Sequence, residues 1–515
     1  MPIPEPFLKQ MTEGYTFSGG SLVIGAPLIN GDCASTVPIR IPLRTMNRHG
    51  LIAGATGTGK TKTLQAIAEQ LSLNGVPSLL MDIKGDLSGI AAPATVNGKI
   101  TERHQKLGIP WEPANIPVDL LTLSDEPGAR LRATVSEFGP VLLSRILDLN
   151  DTQQSVLALV FKYCDDNALP LLDLNDLRRV LQFTTQEGKA GIQKTYGSVS
   201  PATVNIILRK LIELEQQGGE RFFGERSFDP QDLLVKRDGK GTVHIVRLTD
   251  MQSRPLLFST FMLSLLAEVY ATFPEVGDPE KPVLCLFIDE AHLIFDTATP
   301  ALLQQIETII KLIRSKGVGV YFCTQNPMDV PDSVLGQLGL KVQHALRAFT
   351  AKDRTAIKKT AENYPLTDFY KTEELLTSLG IGEAIITALS EKGTPTPLAH
   401  VLLRAPATRM DVLTPAEIQA LVANSAIARK YNEAIDRESA FEILEKRLNG
   451  RDDEDPKDEK PESKAPKKKE TSVLEDVSKN TMVRQVGRTV FRELTRGLLG
   501  ALGVKSRSRS KGLFG

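Results

Sequence analysis

Four cysteines, one tryptophan and six histidines in 515 residues leave little room for several kinds of chemistry. Cys33, Cys164, Cys285 and Cys323 are scattered without paired metal-ligand spacing, which argues against both a zinc ribbon and a disulfide framework. Two of them fall in strand-like apolar runs and read as buried thiols of a reducing compartment. The histidines are equally dispersed, so no zinc site is expected. No stretch reaches the roughly 18 consecutive apolar residues of a membrane helix. The nearest, Pro255 to Tyr270, is broken by Ser259, Thr260, Ser264 and Glu268 and reads as a buried helix. Met1 to Gln10 lacks the basic-then-apolar profile of a signal peptide, and the expected location is the cytoplasm. Net charge is absent too, with 62 Lys and Arg against 62 Asp and Glu. It is nevertheless unevenly placed: residues 481–515 carry eight Lys/Arg against Glu493, a surplus of +7, so residues 1–480 sum to −7. A body of that sign is not a strongly basic nucleic-acid binder, although a ring of subunits can still concentrate basic loops in a central channel.

What is present begins with Gly54-Ala55-Thr56-Gly57-Thr58-Gly59-Lys60-Thr61, which fits G-x-x-x-x-G-K-[ST] at every fixed position. The apolar Gly50 to Ala53 precedes it, and Leu64, Ile67, Ala68 and Leu71 follow at helical spacing, supplying the strand–loop–helix context of a P-loop (Walker A). Glycines let consecutive N–H groups turn around phosphate oxygens, and the helix start adds partial positive charge. Lys60 reaches the β- and γ-phosphates, Thr61 offers its hydroxyl to Mg²⁺, and the backbone through Lys62 completes the expected nucleotide cradle. A Gly-rich turn that merely happens to contain a lysine is the competing reading.

The second decisive stretch is Val283 to His292. Six apolar residues run straight into Asp289 and Glu290, as a central parallel strand does when its C-terminal end enters an active site. As a Walker B motif it assigns Asp289 to the Mg²⁺ shell and Glu290 to the attacking water. An acidic pair after a strand is weak alone and strong downstream of a complete Walker A. The next strand, Gly319 to Cys323, ends in Thr324-Gln325-Asn326-Pro327, where Gln325 is the candidate γ-phosphate sensor or a turn amide bonding local backbone. Arg314, at the helix–strand junction Ile313 to Val318, is either a finger for a neighbouring subunit's nucleotide or a solvated surface arginine. Arg347, Lys352 and Arg354 are second choices for that task. Asp82 and Lys84, in the polar and glycine-rich Asp82 to Gly89 after a strand, face the nucleotide, a neighbour, or solvent in an ordinary turn.

Residues 1–48 are turn-rich, with strand-like stretches at Ser21 to Ile24 and Val37 to Ile41. From about Ile90 to Lys240 the periodicity is mostly helical. Glu383 to Leu389 and Ala399 to Leu403 form an expected hairpin, and residues 413–447 are helical. Asp452 to Lys469 has the composition of a solvated linker. In Val483 to Leu502 the apolar Val483, Val486, Val490, Leu494, Leu498 and Leu502 mark one helical face beside Arg484, Arg488, Arg492 and Arg496. This basic amphipathic helix suits packing on the body or other subunits, an anionic membrane surface, or phosphate backbones.

Walker A, Walker B, the Asp82-Ile83-Lys84-Gly85-Asp86-Leu87-Ser88-Gly89 stretch and Thr324-Gln325-Asn326-Pro327 together make the chain resemble the HerA/FtsK group of hexameric P-loop ATPases. Within it, Asn47-Arg48-His49-Gly50 leading into the P-loop, the Asp82 to Gly89 stretch and the Arg- and Gly-rich C-terminal helix most resemble the bacterial HerA-like YjgR family. The likeness covers most of residues 40–500. It implies an α/β fold: a RecA-like P-loop NTPase core (49–89 and 241–405) behind a short N-terminal cap (1–48), with a helical insertion (90–240), C-terminal helices (406–449), a linker (450–480) and the basic amphipathic helix and tail (481–515). It also implies ATP and Mg²⁺ as cofactors, a ring, most simply a hexamer, with ATP between subunits, and Arg314 where related motors carry a finger. The expected activity is ATP hydrolysis driving movement along duplex DNA. The alternatives are an ATPase peripheral to the inner membrane through residues 481–515, or a nucleotide-gated assembly factor. Residues 1–48 are too few for the N-terminal barrel of HerA proper, a departure that leaves HerA's nuclease partnership outside what the resemblance implies.

Overall fold

Short aliphatic runs build the strands here, and those at the centre of the sheet are buried on both faces, as parallel strands are. The computed structural model describes residues 3–296, 300–435 and 437–449. A helix, α1 (Glu5–Tyr15), comes first. The main strands follow as β1 (Ser21–Ile29), β2 (Ile39–Pro42), β3 (Gly50–Ala53), β4 (Ser78–Asp82), β5 (Val118–Thr122), β6 (Val243–Arg247), β7 (Leu284–Ile288), β8 (Val318–Thr324), β9 (Leu340–Gln343), β10 (Glu383–Thr387) and β11 (Ala399–Leu403). Their order across the sheet is β1-β11-β10-β9-β3-β8-β7-β4-β6-β5, with β2 paired to β1. From β9 to β5 every pairing is parallel, whereas β10, β11 and β1 close the other side antiparallel.

Alternation along the strands divides the interior in two. Leu284, Leu286 and Ile288 of β7 face one core and Cys285 and Phe287 the other, where Phe287 stacks on Tyr321 with ring centroids 4.8 Å apart. On the second face lie α1 and α2 (Lys60–Leu73), with Leu64, Ile67, Ala68 and Leu71 turned inward. On the first lies α3 (Pro255–Thr272), packed against α4 (Pro300–Ile313). Helix α3 is long and apolar enough to cross a membrane by length and composition, yet it is spent on this core, with Leu257, Met262, Leu263 and Val269 fully buried.

Two expectations about chain organisation need correction. The 90–240 stretch, expected to be mainly helical, also contributes β5 to the main sheet, so the core is not confined to 49–89 and 241–405; the continuous helical part runs from Val135–Ile146 through Asp151–Asp166, Leu174–Thr185 and Lys189–Tyr196 to Pro201–Gln216. Strand β5 was hidden because an acid interrupts five residues. Asp119 is buried there, accepting from the Ser425 hydroxyl (2.8 Å) and the Arg237 guanidinium (2.6 Å), and a paired acid no longer opposes burial. Residues 1–48 also do more than cap. Strand β1 extends to Ile29, well past Ile24, and pairs with β11 as part of the sheet, while α1 buries Phe7, Met11 and Tyr15 beneath it. The linker and basic helix expected over 450–515 lie outside the described residues.

Candidate nucleotide site

Strand order brings the two motifs together. The P-loop follows β3 and the Walker B carboxylates follow β7; β8 runs between them and ends at Gln325, so all three leave the same, C-terminal edge of the sheet. Backbone bonds fix the loop's entry: the Gly54 N–H donates to Thr324 O (3.2 Å) and the Ala55 N–H to Ala345 O (2.8 Å). Gly54 has φ +148°, and a Cβ there would come within 2.5 Å of the His344 Cβ, so glycine is required on both counts. Gly57, at φ +80°, faces open space. The first intrahelical bond of α2 runs from Thr63 N–H to Gly59 O, which leaves the N–H groups of Lys60, Thr61 and Lys62 ahead of the ladder and free to meet an anion.

The side chains agree with that preparation. The Lys60 ammonium rests on the carbonyl of Ala55 within its own loop (3.3 Å), and the Thr58 hydroxyl donates to the same carbonyl (2.7 Å). Burial and the nearby Lys84 lower the Lys60 pKa, while Glu290 and Asp289 raise it, so both carboxylates lie within electrostatic reach of the P-loop lysine. Asp289 is 5 % exposed, and burial pushes its carboxyl up to about 6 against the pull of Lys84. A cation beside it would favour its charged form, the service Mg²⁺ performs beside a Walker B acid. Glu290 is 3 % exposed and stands at φ +48°, a left-handed conformation uncommon outside glycine. It forms an ion pair with Lys84, and His292 Nδ1 lies 3.1 Å from its other oxygen. Gln325 is exposed, with Oε1 accepting from the Thr56 hydroxyl (3.4 Å). The turn behind it is fixed by Asp329, which accepts from the Thr324 hydroxyl (2.5 Å) and the Asn326 N–H (3.1 Å). In front of Ala55, Thr56 and Gln325 opens a cleft of about 370 Å³ that reaches Arg347 and the exposed Phe349.

Some residues take other places than a nucleotide contact. The Lys62 ammonium donates to Met410 O (2.5 Å), so only its backbone faces the cradle. Asp82 accepts from the N–H groups of Gly85 (2.7 Å), Asp86 (3.1 Å) and Leu87 (3.2 Å), bracing its own loop. Arg314 precedes β8 and therefore sits at the opposite edge of the sheet from its own P-loop, a strand length of about 20 Å away. There it pairs with Asp278 at 3.4 Å, partly exposed. Sequence reasoning missed two contributors. His344 backs Gly54 and has Nε2 3.0 Å from the Thr63 hydroxyl. Segment 405–411 crosses α2, held by Lys62, Gln65 and Glu69 on one face of the helix. That helical spacing was the signal available for the second; nothing in the sequence marked the first.

The helicase HerA-like C-terminal family matches residues 29–507. The chain belongs to that family. A DNA double-strand break repair helicase HerA from Sulfolobus acidocaldarius is 22 % identical over 394 residues, spanning 72 % of this chain and 67 % of the relative. Among solved structures, the bacterial conjugative coupling protein TrwB without its first 70 residues superposes with a TM-score of 0.51 at 14 % identity, covering 79 % of this chain and 95 % of that one. VirB4 of Thermoanaerobacter pseudethanolicus gives a TM-score of 0.48 at 16 % identity, over 79 % of this chain and all of VirB4. Family and site together make this HerA-like chain a P-loop ATP hydrolase, with ATP and Mg²⁺ the pair its strand tips are arranged to take.

Proposed function

We propose that the protein is a ring-forming motor, most simply a hexamer, that spends ATP to translocate on duplex DNA in the cytoplasm. The observation that carries the reading is the split of the catalytic set. Lys60, Thr61, Asp289, Glu290 and Gln325 gather at one edge of the sheet, while Arg314 stands at the other, far from its own subunit's P-loop. A site open at its front and a cation facing away fit a ring whose nucleotides lie between subunits. The name of the Sulfolobus relative, a double-strand break repair helicase, supports DNA as the polymer.

In this reading the orphan N–H groups of α2 and Lys60 bind the β- and γ-phosphates, Thr61 and Asp289 hold Mg²⁺, and Mg²⁺ neutralises charge on the phosphate oxygens. Glu290 takes the proton of the attacking water, Gln325 orients that water, and Arg314 stabilises charge on the neighbour's nucleotide. The experiment is ATP turnover by the purified full chain with duplex DNA, RNA and vesicles of anionic lipid in parallel. A several-fold rise with duplex DNA alone that fades as salt rises from about 50 to 200 mM is expected, because phosphate contacts release counterions. Stimulation by vesicles and not by DNA would overturn the motor and favour attachment through residues 481–515.

A further inference from the structure

Lys84 stands outside both nucleotide motifs, yet its ammonium grips the group on which hydrolysis turns. Glu290 Oε1 is engaged by the Lys84 ammonium in an ion pair, while His292 Nδ1 lies 3.1 Å from Oε2 without hydrogen-bond geometry. The oxygen engaged in this way is poorly placed to accept a proton from water, since it already faces the Lys84 cation. Lys84 therefore competes with water for one oxygen of the candidate general base.

Three features make Lys84 the movable part. Its loop is rigid, because Asp82 ties down the N–H groups of Gly85, Asp86 and Leu87 and Gly85 turns at φ +75°. The Glu290 side chain is 4 % exposed, whereas Lys84 keeps 34 % of its side chain in solvent. A four-carbon stem on a fixed backbone lets the ammonium swing several ångströms without disturbing the fold. The Lys84 charge also acts on Lys60, and Asp289 and Glu290 act on both, so the two ammonium groups share one space. The triphosphate is the anion that would draw both.

We propose that Lys84 is a γ-phosphate-operated latch: it blocks Glu290 while the site holds no triphosphate and transfers to the γ-phosphate when ATP binds, freeing one Glu290 oxygen for the attacking water. The latch makes hydrolysis conditional on a complete triphosphate and keeps the base covered when ADP is bound. It rests on the ATPase reading and goes beyond it, because it assigns the Asp82 to Gly89 loop a task in telling ATP from ADP.

The test is equilibrium binding of ADP and of the non-hydrolysed analogue AMP-PNP, each with Mg²⁺, to the full-length protein. Lys84→Met retains the aliphatic stem and should weaken AMP-PNP by about fivefold or more while leaving ADP unchanged, the size expected of one charge-assisted contact. Glu290→Gln leaves Lys84 no charge to hold and should tighten AMP-PNP relative to ADP, and adding Lys84→Met should abolish that gain. Unchanged ADP binding certifies that each variant is folded. An AMP-PNP to ADP ratio unmoved by Lys84→Met, or a Glu290→Gln gain that survives in the double variant, overturns the latch. Lys60→Ala separates the two claims: if it binds both nucleotides as well as the parent does, the ATPase reading itself falls.

Discussion

His49, His244 and His344 are buried and held neutral, each with its pKa lowered to about 4 chiefly by burial. His49 shows the reason. The Val320 N–H donates to its Nδ1 (3.0 Å), so Nε2 must carry the proton given to Ile310 O (2.8 Å), and no second proton can enter. Unfolded histidines titrate near 6.5. Between that value and about 4 the unfolded chain binds protons that the native chain refuses, so stability falls as pH falls, by up to about 1.4 kcal/mol per pH unit for each histidine. Asp289 and Glu69, whose pKa values are raised, act in the opposite sense over part of this range, so the comparison is between variants: urea midpoints from pH 7 down to 4.5 should fall less steeply in His49→Asn than in wild type, and parallel profiles would contradict the burial of His49 as a neutral ring. None of this was legible in advance, because six scattered histidines carry no pattern. The nucleotide-site residues were legible for the opposite reason: glycines forced by φ and by close approach, and acids forced by a strand tip, leave fixed spacings.

Helix α2 shows how one element serves two masters. Its first turn presents N–H groups to the nucleotide, and its third turn anchors the exit of the sheet. Glu69 is fully buried and accepts from the N–H groups of Ala407 (2.8 Å) and Thr408 (2.9 Å) and from the Thr408 hydroxyl (2.9 Å). Burial raises its pKa against the pull of these donors. Removing such an acceptor strands the donors, so Glu69→Ala should cost about 2–4 kcal/mol in urea unfolding. Glu69→Gln, which keeps one acceptor oxygen, should cost less. Equal stability of wild type and Glu69→Ala would show that segment 405–411 is not fastened through this residue. At this scale the sequence was read well where periodicity was long, as in α2 and α3. It was read poorly where an element was short and polar in the middle, as in β5 with Asp119, or where a terminal helix such as α1 packs by tertiary contact alone.

Across the whole molecule, distant stretches meet because the β3-β8-β7 order places the tips of residues 53, 324 and 288 side by side. Parallel pairing could be anticipated from apolar strands that alternate with helices; the order of strands and the flanking antiparallel β10, β11 and β1 could not, since register is a long-range property. The same order sets Arg314 at the far edge, where it pairs with Asp278. The claim on which the rest depends is that Lys60 and the Asp289–Glu290 pair act on a single bound triphosphate. Its most direct test is Glu290→Gln, assayed for ATP turnover and for Mg²⁺-dependent ATP binding in the same preparation. The account expects binding to persist while turnover falls by at least about 100-fold, the lower end of what a general base contributes. Turnover at the wild-type rate, or loss of ATP binding by a folded variant, would contradict it.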